Sequence, residues 1–311
     1  MVKLETKIGK LILKNPVMAA SGTFGYAEEF KEFIDLKKLG AIVTKTITIN
    51  PRKGNPMPRT CETAAGMLNA IGLENPGLKS FIKDKLPILK RIETPIVVSI
   101  ASEGSPEEFV ALAKRLDLIK EISALELNIS CPNLKAKKLI SQDPVATYEV
   151  VAAVRRSTGK TLITKLSPNV TDITDIAKAA EKAGSDAVSL VNTFSGMAID
   201  INTGKSKIAN GTGGLSGPAI KTIALRMVWE AVNAVNIPVI GIGGIMTTND
   251  AIEFIMAGAA AVQVGTANFV NPGTTEEIID GLTKYLKQNK MERISSLRGV
   301  LSEAKDDEAI S

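Results

Sequence analysis

Eight short β-rich runs, at residues 17–20, 41–44, 96–100, 124–128, 162–166, 187–191, 239–242 and 261–264, alternate with stretches of helical spacing. That alternation predicts an α/β protein folded as a (β/α)8 TIM barrel. Length points the same way. Such barrels take ~250 residues, so a chain of 311 reads as one domain over 1–311 with extensions. The start of the chain is the third observation: residues 4–8 and 11–14 flank Gly9-Lys10, the pattern of an N-terminal hairpin that closes the barrel bottom.

The eight runs are nearly continuous in apolar residues, as parallel strands buried on both faces must be. Helical spacing falls at 106–119, 144–157, 173–183, 218–235, 248–256 and 275–288. Ser105-Pro106-Glu107-Glu108 and Asp143-Pro144 each place a capping side chain before a first-turn proline, which marks two of the helix starts. Two connections, 46–79 after strand 2 and 193–217 after strand 6, exceed the usual length of βα loops. Long βα loops over the mouth of a barrel tend to carry ligand contacts. The segment from Ser302, with Lys305-Asp306-Asp307-Glu308, has little to bury and is expected to fray.

Composition removes whole classes of function. A hydrophobic content of 44% against 23% charged is the balance of a folded soluble protein. No apolar stretch approaches the ~18 residues of a membrane span. Met1-Val2-Lys3-Leu4-Glu5 also lacks the layout of a secretory signal, so a cytoplasmic protein is expected. The chain has no histidine, which excludes a Ser-His-Asp triad, a His-assisted cysteine protease and an HExxH metal site. Its 2 cysteines, Cys61 and Cys131, lie far apart without CxxC spacing. They build neither a disulfide framework nor a zinc or iron–sulfur site. The net charge of +5 suits small anionic ligands, although the only local cluster is Lys135, Lys137 and Lys138. With aromatics at 4% there are few platforms for stacking nucleic-acid bases, and a solvated basic surface is the plainer reading.

Chemistry in a (β/α)8 barrel sits at the carboxyl ends of the strands, with phosphate commonly held by the loops after strands 7 and 8. Both loops have suitable sequences. Gly241-Ile242-Gly243-Gly244 and Gly265-Thr266 would let backbone N–H groups approach phosphate oxygens closely, although glycines also simply make tight turns. Lys45 and Lys165 end two otherwise apolar strands, where an ammonium must meet an anion, lose its charge or reach water. Asn128, Asn192 and Asn69 each offer a donor and an acceptor, the pair that grips the edge of a cyclic imide or pyrimidine. Turn formation is their ordinary job. Ser130-Cys131-Pro132-Asn133 follows strand 4. Without a histidine to activate it, Cys131 reads as a lone base for a carbon-bound proton rather than a hydrolytic nucleophile. An inert cysteine is the better reading of Cys61.

These residues together resemble the dihydroorotate dehydrogenase family, flavoproteins of pyrimidine biosynthesis built on an FMN-binding barrel, over essentially the whole of residues 4–301. The resemblance rests on Ser21-Gly22-Thr23-Phe24-Gly25, Thr44-Lys45-Thr46, the run from Asn69-Ala70-Ile71-Gly72 to Leu73-Glu74-Asn75-Pro76-Gly77, Asn128-Ile129-Ser130-Cys131-Pro132-Asn133, Lys165-Leu166-Ser167-Pro168-Asn169, Gly214-Leu215-Ser216-Gly217-Pro218 and the two glycine loops. It implies that dihydroorotate gives a proton from C5 to Cys131 and a hydride from C6 to FMN, forming orotate. Implied FMN contacts are Ser21, Lys45, Thr46, Ser99, Asn128, Lys165, Val191, Gly217, Gly243, Gly244, Gly265 and Thr266. Implied substrate contacts are Lys45, Asn69, Ile71, Gly72, Leu73, Asn128, Asn192 and Thr193. Lys165 would stabilise the charge that a reduced flavin gains, the second catalytic role beside that of Cys131.

Cysteine as the base resembles the soluble enzymes of the family, and within that soluble branch the stretch from Asn69 to Gly77 is similar to the NAD-linked type rather than the fumarate-using type. The membrane-bound quinone-using branch carries serine at that position and an amino-terminal membrane extension. The NAD-linked type implies an iron–sulfur flavoprotein partner carrying FAD and a [2Fe–2S] cluster. The implied assembly is a heterotetramer around a homodimer of catalytic chains. Two rivals stay open on the residues alone. One is a dihydropyrimidine dehydrogenase-like flavoenzyme, the other a non-redox Schiff-base aldolase or lyase using Lys165 and the phosphate loops.

Overall fold

The computed structural model describes residues 2–102, 105–130 and 140–301. Cys131 and the Lys135, Lys137, Lys138 cluster lie outside the described residues, as does the segment from Ser302.

Eight parallel strands close into a barrel in which each pairs with the next in sequence. They are β1 Val17–Ala19, β2 Ala41–Val43, β3 Ile96–Ile100, β4 Ile122–Asn128, β5 Thr161–Lys165, β6 Ala187–Leu190, β7 Val239–Ile242 and β8 Ala261–Val264. The ring closes through β8 and β1, where Val262 opposes Val17. All eight expected strands are present, with ends displaced by at most two residues.

Both strand faces are buried, and the period of two sorts their side chains. Val17, Ile42, Val98, Leu125, Leu162, Val188 and Val262 turn outward into the core under the helices. Met18, Ala41, Val43, Val97, Ala124, Ile163, Ala187, Ile240 and Ala261 turn inward and form a separate cluster. Ile8, Leu11 and Leu13 of the N-terminal hairpin complete that inner cluster. The hairpin, Thr6–Ile8 with Leu11–Leu13, therefore plugs the amino-terminal end of the barrel as expected. Burying its three apolar side chains contributes roughly 5–9 kcal/mol. Its turn requires glycine: Gly9 has φ +56°, and a Cβ there would lie 2.8 Å from Cβ of Asp186.

The outer helices begin where capping chemistry places them. Ser105 Oγ accepts the Glu107 N–H at 3.2 Å ahead of helix Pro106–Asp117, and Asp143 Oδ1 accepts the Val145 N–H at 2.9 Å ahead of Pro144–Arg155. Ile173–Lys182, Thr248–Met256 and Thr274–Gln288 match the remaining spacings. The expected helix at 218–235 instead opens as a 3-10 turn, Pro218–Ile220, before Lys221–Ala234. Between β1 and β2 there are only the 3-10 turns Glu28–Phe30 and Leu36–Lys38, and the β2–β3 crossover is carried by an unanticipated helical stretch, Gly77–Ser80 through Phe81–Lys85 to Leu86–Lys90.

The two long loops are not irregular. Thr60–Thr63 and Gly66–Asn69, from the connection after β2, pair with Gly213–Ser216 and Phe194–Gly196, from the connection after β6, in one four-stranded antiparallel sheet. Asn69 opposes Gly214 and Leu68 opposes Leu215. Close backbone approach explains the glycines: a Cβ on Gly66 would lie 2.0 Å from the Ser216 carbonyl oxygen, and one on Gly213 would lie 2.7 Å from that of Asn69. The sheet ties two distant loops together over the carboxyl end of the barrel.

Candidate active site

The period-two order that fills the barrel bottom with alanine and valine delivers polar side chains to the top. On β4, Ala124 is followed inward by Glu126 and Asn128; on β5, Ile163 by Lys165; beyond β2, Val43 by Lys45. Asn128, Lys165 and Lys45 meet a cavity of about 490 Å3 at the carboxyl ends of the strands. This is the size and place of a small-molecule site.

The structure brings almost every residue identified from the sequence to this cavity. Ser21, Lys45, Thr46, Asn128 and Lys165 line it from the strand ends; Val191, Asn192, Thr193 and Gly217 line it from the β6 side. Gly243, Gly244, Gly265 and Thr266 form the part beyond β7 and β8, and Asn69, Ile71, Gly72 and Leu73 come from the loop after β2. Ser99 is the exception. Fully buried, it stands behind Thr46, with its hydroxyl 2.8 Å from Thr46 Oγ1, and is not part of the cavity wall. Cys131, the thiol expected to act with this set, follows Ser130 directly in the chain but is outside the described residues.

A hydrogen-bonded chain holds the polar wall. Thr46 Oγ1 lies 3.1 Å from Ser21 Oγ and accepts from Asn128 Nδ2 at 3.2 Å. Ser130 Oγ donates to Asn128 Oδ1 at 3.0 Å and accepts from Asn192 Nδ2 at 2.7 Å. Asn192 Oδ1 accepts the Thr193 N–H at 2.9 Å. Both carboxamides are thereby oriented, and among the described residues each keeps one N–H and one lone pair for a ligand. Asn69 instead gives an N–H to the Gly214 carbonyl at 3.3 Å, stitching the overlying sheet.

The turn at Ile71–Gly72–Leu73 is set by Asn75. Its buried carboxamide accepts from the N–H groups of Thr48 and Gly77 at 3.1 and 2.8 Å, and donates to the Leu73 carbonyl at 2.7 Å and Thr48 Oγ1 at 2.8 Å. This clasp supports consecutive left-handed residues, Gly72 at φ +76° and Leu73 at +57°. On the opposite side, Gly243 and Gly244 have φ +127° and +71°, and a Cβ on Gly244 would lie 2.8 Å from the Lys221 backbone nitrogen. Asp250 secures this loop by accepting the Met246 N–H at 3.0 Å and, through Oδ1, the Lys221 ammonium at 2.7 Å. Burial raises the Asp250 carboxyl, but Lys221 and the donors of Met246 and Thr247 bring it below its ordinary value. The hydrogen bonds that Lys221 donates to Asp250 and to Glu253 in turn raise Lys221. Lys221 is committed to this cluster, so the glycine loop offers a ligand its backbone amides.

Charge in the cavity is uneven. Lys165 is only 6% exposed and has neither an ion-pair nor a hydrogen-bond partner among the described residues. A buried ammonium left so is costly unless an anion or acceptor arrives. Lys45 Nζ lies 3.9 Å from Glu74 Oε2, the same oxygen that accepts from Arg59 Nη2. Arg59 and Glu74, together with Gln263, line the cavity without having been singled out from the sequence. Arg59 sits in a polar loop with no periodic signal. Gln263 did carry one: it is the polar inward residue of an apolar strand, as is Glu126. Both are fully buried, and Glu126 Oε2 accepts from Gln263 Nε2 at 2.7 Å and from Ser189 Oγ at 3.0 Å.

Among the described residues no group of three acidic or thiol side chains converges to hold a metal, and no helix is long and apolar enough to cross a membrane.

Fold and cavity together define the class, a (β/α)8-barrel protein with a glycine-walled ligand site at the carboxyl mouth of its barrel. The chain belongs to the dihydroorotate dehydrogenase family, whose sequence profile matches residues 3–286. It is 55% identical over 299 residues, 96% of its length and 98% of the relative's, to a protein of Trichlorobacter lovleyi named dihydroorotate dehydrogenase B (NAD(+)), catalytic subunit. Proteins of the same name from Geotalea uraniireducens and Geobacter sulfurreducens are each 53% identical over the same shares of both chains.

Proposed function

We propose that this chain is the catalytic subunit of an NAD-linked dihydroorotate dehydrogenase, oxidising dihydroorotate to orotate in pyrimidine biosynthesis. The observation that carries the reading is Lys165: a buried ammonium, unpaired among the described residues, beside Asn128 in a cavity whose far wall is two glycine loops. That donor set fits FMN. Backbone amides at Gly243, Gly244, Gly265 and Thr266 suit its phosphate, and Lys165 suits the electron-rich edge of its ring. Ser21, Lys45, Thr46, Asn128, Val191 and Gly217 complete the contacts, with Ser99 acting through Thr46. When bound, FMN supplies a two-electron acceptor for the hydride leaving C6.

The chain's own residues supply the rest. Cys131 takes the C5 proton, and Asn128 and Asn192, oriented by Ser130, bind the imide edge with Asn69 and Thr193. Lys45 meets the substrate carboxylate, and the Ile71–Gly72–Leu73 turn closes the wall beside it. The chain folds as one barrel domain over 1–311 and works in the cytoplasm. With 2 cysteines it lacks the four thiolates of a [2Fe–2S] site. In this reading electrons leave through an iron–sulfur flavoprotein carrying FAD and that cluster, in a heterotetramer built on a homodimer of catalytic chains, as the subunit naming of the relatives supports.

Purified protein tests this directly. It is expected to be yellow, to bleach anaerobically with dihydroorotate but not with dihydrouracil, and to show no borohydride-trapped adduct on Lys165. A colourless protein, a preference for dihydrouracil or a trapped adduct overturns the assignment.

A further inference from the structure

Glu74 has no part in the chemistry above, yet it lines the same cavity as Lys45 and Arg59. A single oxygen, Oε2, faces both cations, accepting from Arg59 Nη2 and lying 3.9 Å from Lys45 Nζ. The Glu74 and Lys45 side chains are 42% and 27% exposed, so the contact is open to an incoming solute. Arg59 does not depend on Glu74 for its place. Its Nη1 also donates to the carbonyls of Lys53 and Asn55 at 3.3 and 3.4 Å. Lys45, by contrast, has no other charged partner among the described residues.

We propose that Glu74 is an internal competitor for the substrate's anion site: its carboxylate is the anion that Lys45 faces until the carboxylate of dihydroorotate or orotate displaces it. The inference rests on the reading that Lys45 binds substrate. Two like charges cannot share one ammonium without cost, so substrate entry must weaken the Glu74–Lys45 contact and leave Glu74 on Arg59. Glu74 thus sets a threshold that any anion must exceed to occupy the site. It lowers affinity for every anion, and the penalty is met in full only by a ligand that also satisfies the carboxamides deeper in the cavity. Small inorganic anions gain nothing there to offset it.

The test uses the FMN-loaded protein and orotate as the probe, with binding read from the flavin absorbance. Glu74→Gln keeps the shape and an acceptor for Arg59 while removing the charge. Orotate is expected to bind the variant about two- to fivefold more tightly at low salt, the strength of one partly exposed charge contact. The gain is expected to shrink at about 0.5 M salt, where the Debye length is a few ångströms. An unchanged or weakened affinity, or a gain that persists at high salt, overturns the proposal and makes Glu74 a fastening of the loop. Wild-type protein that holds FMN but binds no orotate would instead overturn the functional reading beneath it.

Discussion

Asn192 and Asn128 are joined through one hydroxyl: Ser130 Oγ accepts from Asn192 Nδ2 at 2.7 Å and donates to Asn128 Oδ1 at 3.0 Å. Asn128 ends β4 and Asn192 follows β6, so the link spans two strand ends and leaves neither carboxamide free to flip. Ser130→Ala removes it and leaves two half-buried carboxamides each short of a partner. Orotate affinity is expected to fall about tenfold, the cost of one such group, with FMN retained. Titration of the flavin absorbance measures both.

Cys131→Ser is expected to keep bound FMN and slow the reduction of flavin by dihydroorotate by several orders of magnitude near neutral pH, because a serine hydroxyl is scarcely ionised there whereas a thiol is partly a thiolate. Stopped-flow reduction measures it. Unchanged kinetics would remove Cys131 from the mechanism.

Lys165→Ala takes the buried ammonium away from the ring and is expected to lower the flavin reduction potential. The change should correspond to about 1–3 kcal/mol, the worth of a hydrogen bond to a charged group. Redox titration against a dye decides it, and a wild-type potential would deny Lys165 its electrostatic role.

The Asp250 cluster makes the loop after β7 dependent on pH. A carboxylate held below its ordinary 3.8 contributes stability that is present above that value and is lost as pH falls through its depressed one. Lys221, held above 10.5, contributes stability that is present below that value and is lost only as pH rises through its raised one. Asp250→Asn is expected to cost about 1 kcal/mol at pH 7, chiefly through the capping box with Thr247. Melting curves of the two proteins should converge in strong acid. A difference that stays constant down to pH about 2 would show that charge is not involved.

Much of this protein was legible in its sequence. The eight apolar runs revealed the barrel because a strand buried on both faces has nowhere to hide its composition. Lys45, Lys165 and Asn128 were visible because a polar side chain ending an apolar strand is an anomaly that costs desolvation unless something answers it. The same logic reaches Glu126 and Gln263, whose alternation with Leu125, Leu127, Val262 and Val264 marks them as inward polar residues, although neither was singled out.

The four-stranded sheet over the mouth could not be read this way. Its strands are three or four residues long and rich in glycine, and Asn69 meets Gly214 across 145 positions of chain. Arg59 and Glu74 reach the cavity only because that sheet and the Asn75 clasp fold their loop over Lys45. What the sequence by itself determined is periodicity: which side chains turn inward, and so what chemistry stands at the strand ends. What tertiary structure alone decided is which loops lie across those ends, because pairing between distant glycine-rich segments is selected by backbone fit and leaves no periodic trace in either one.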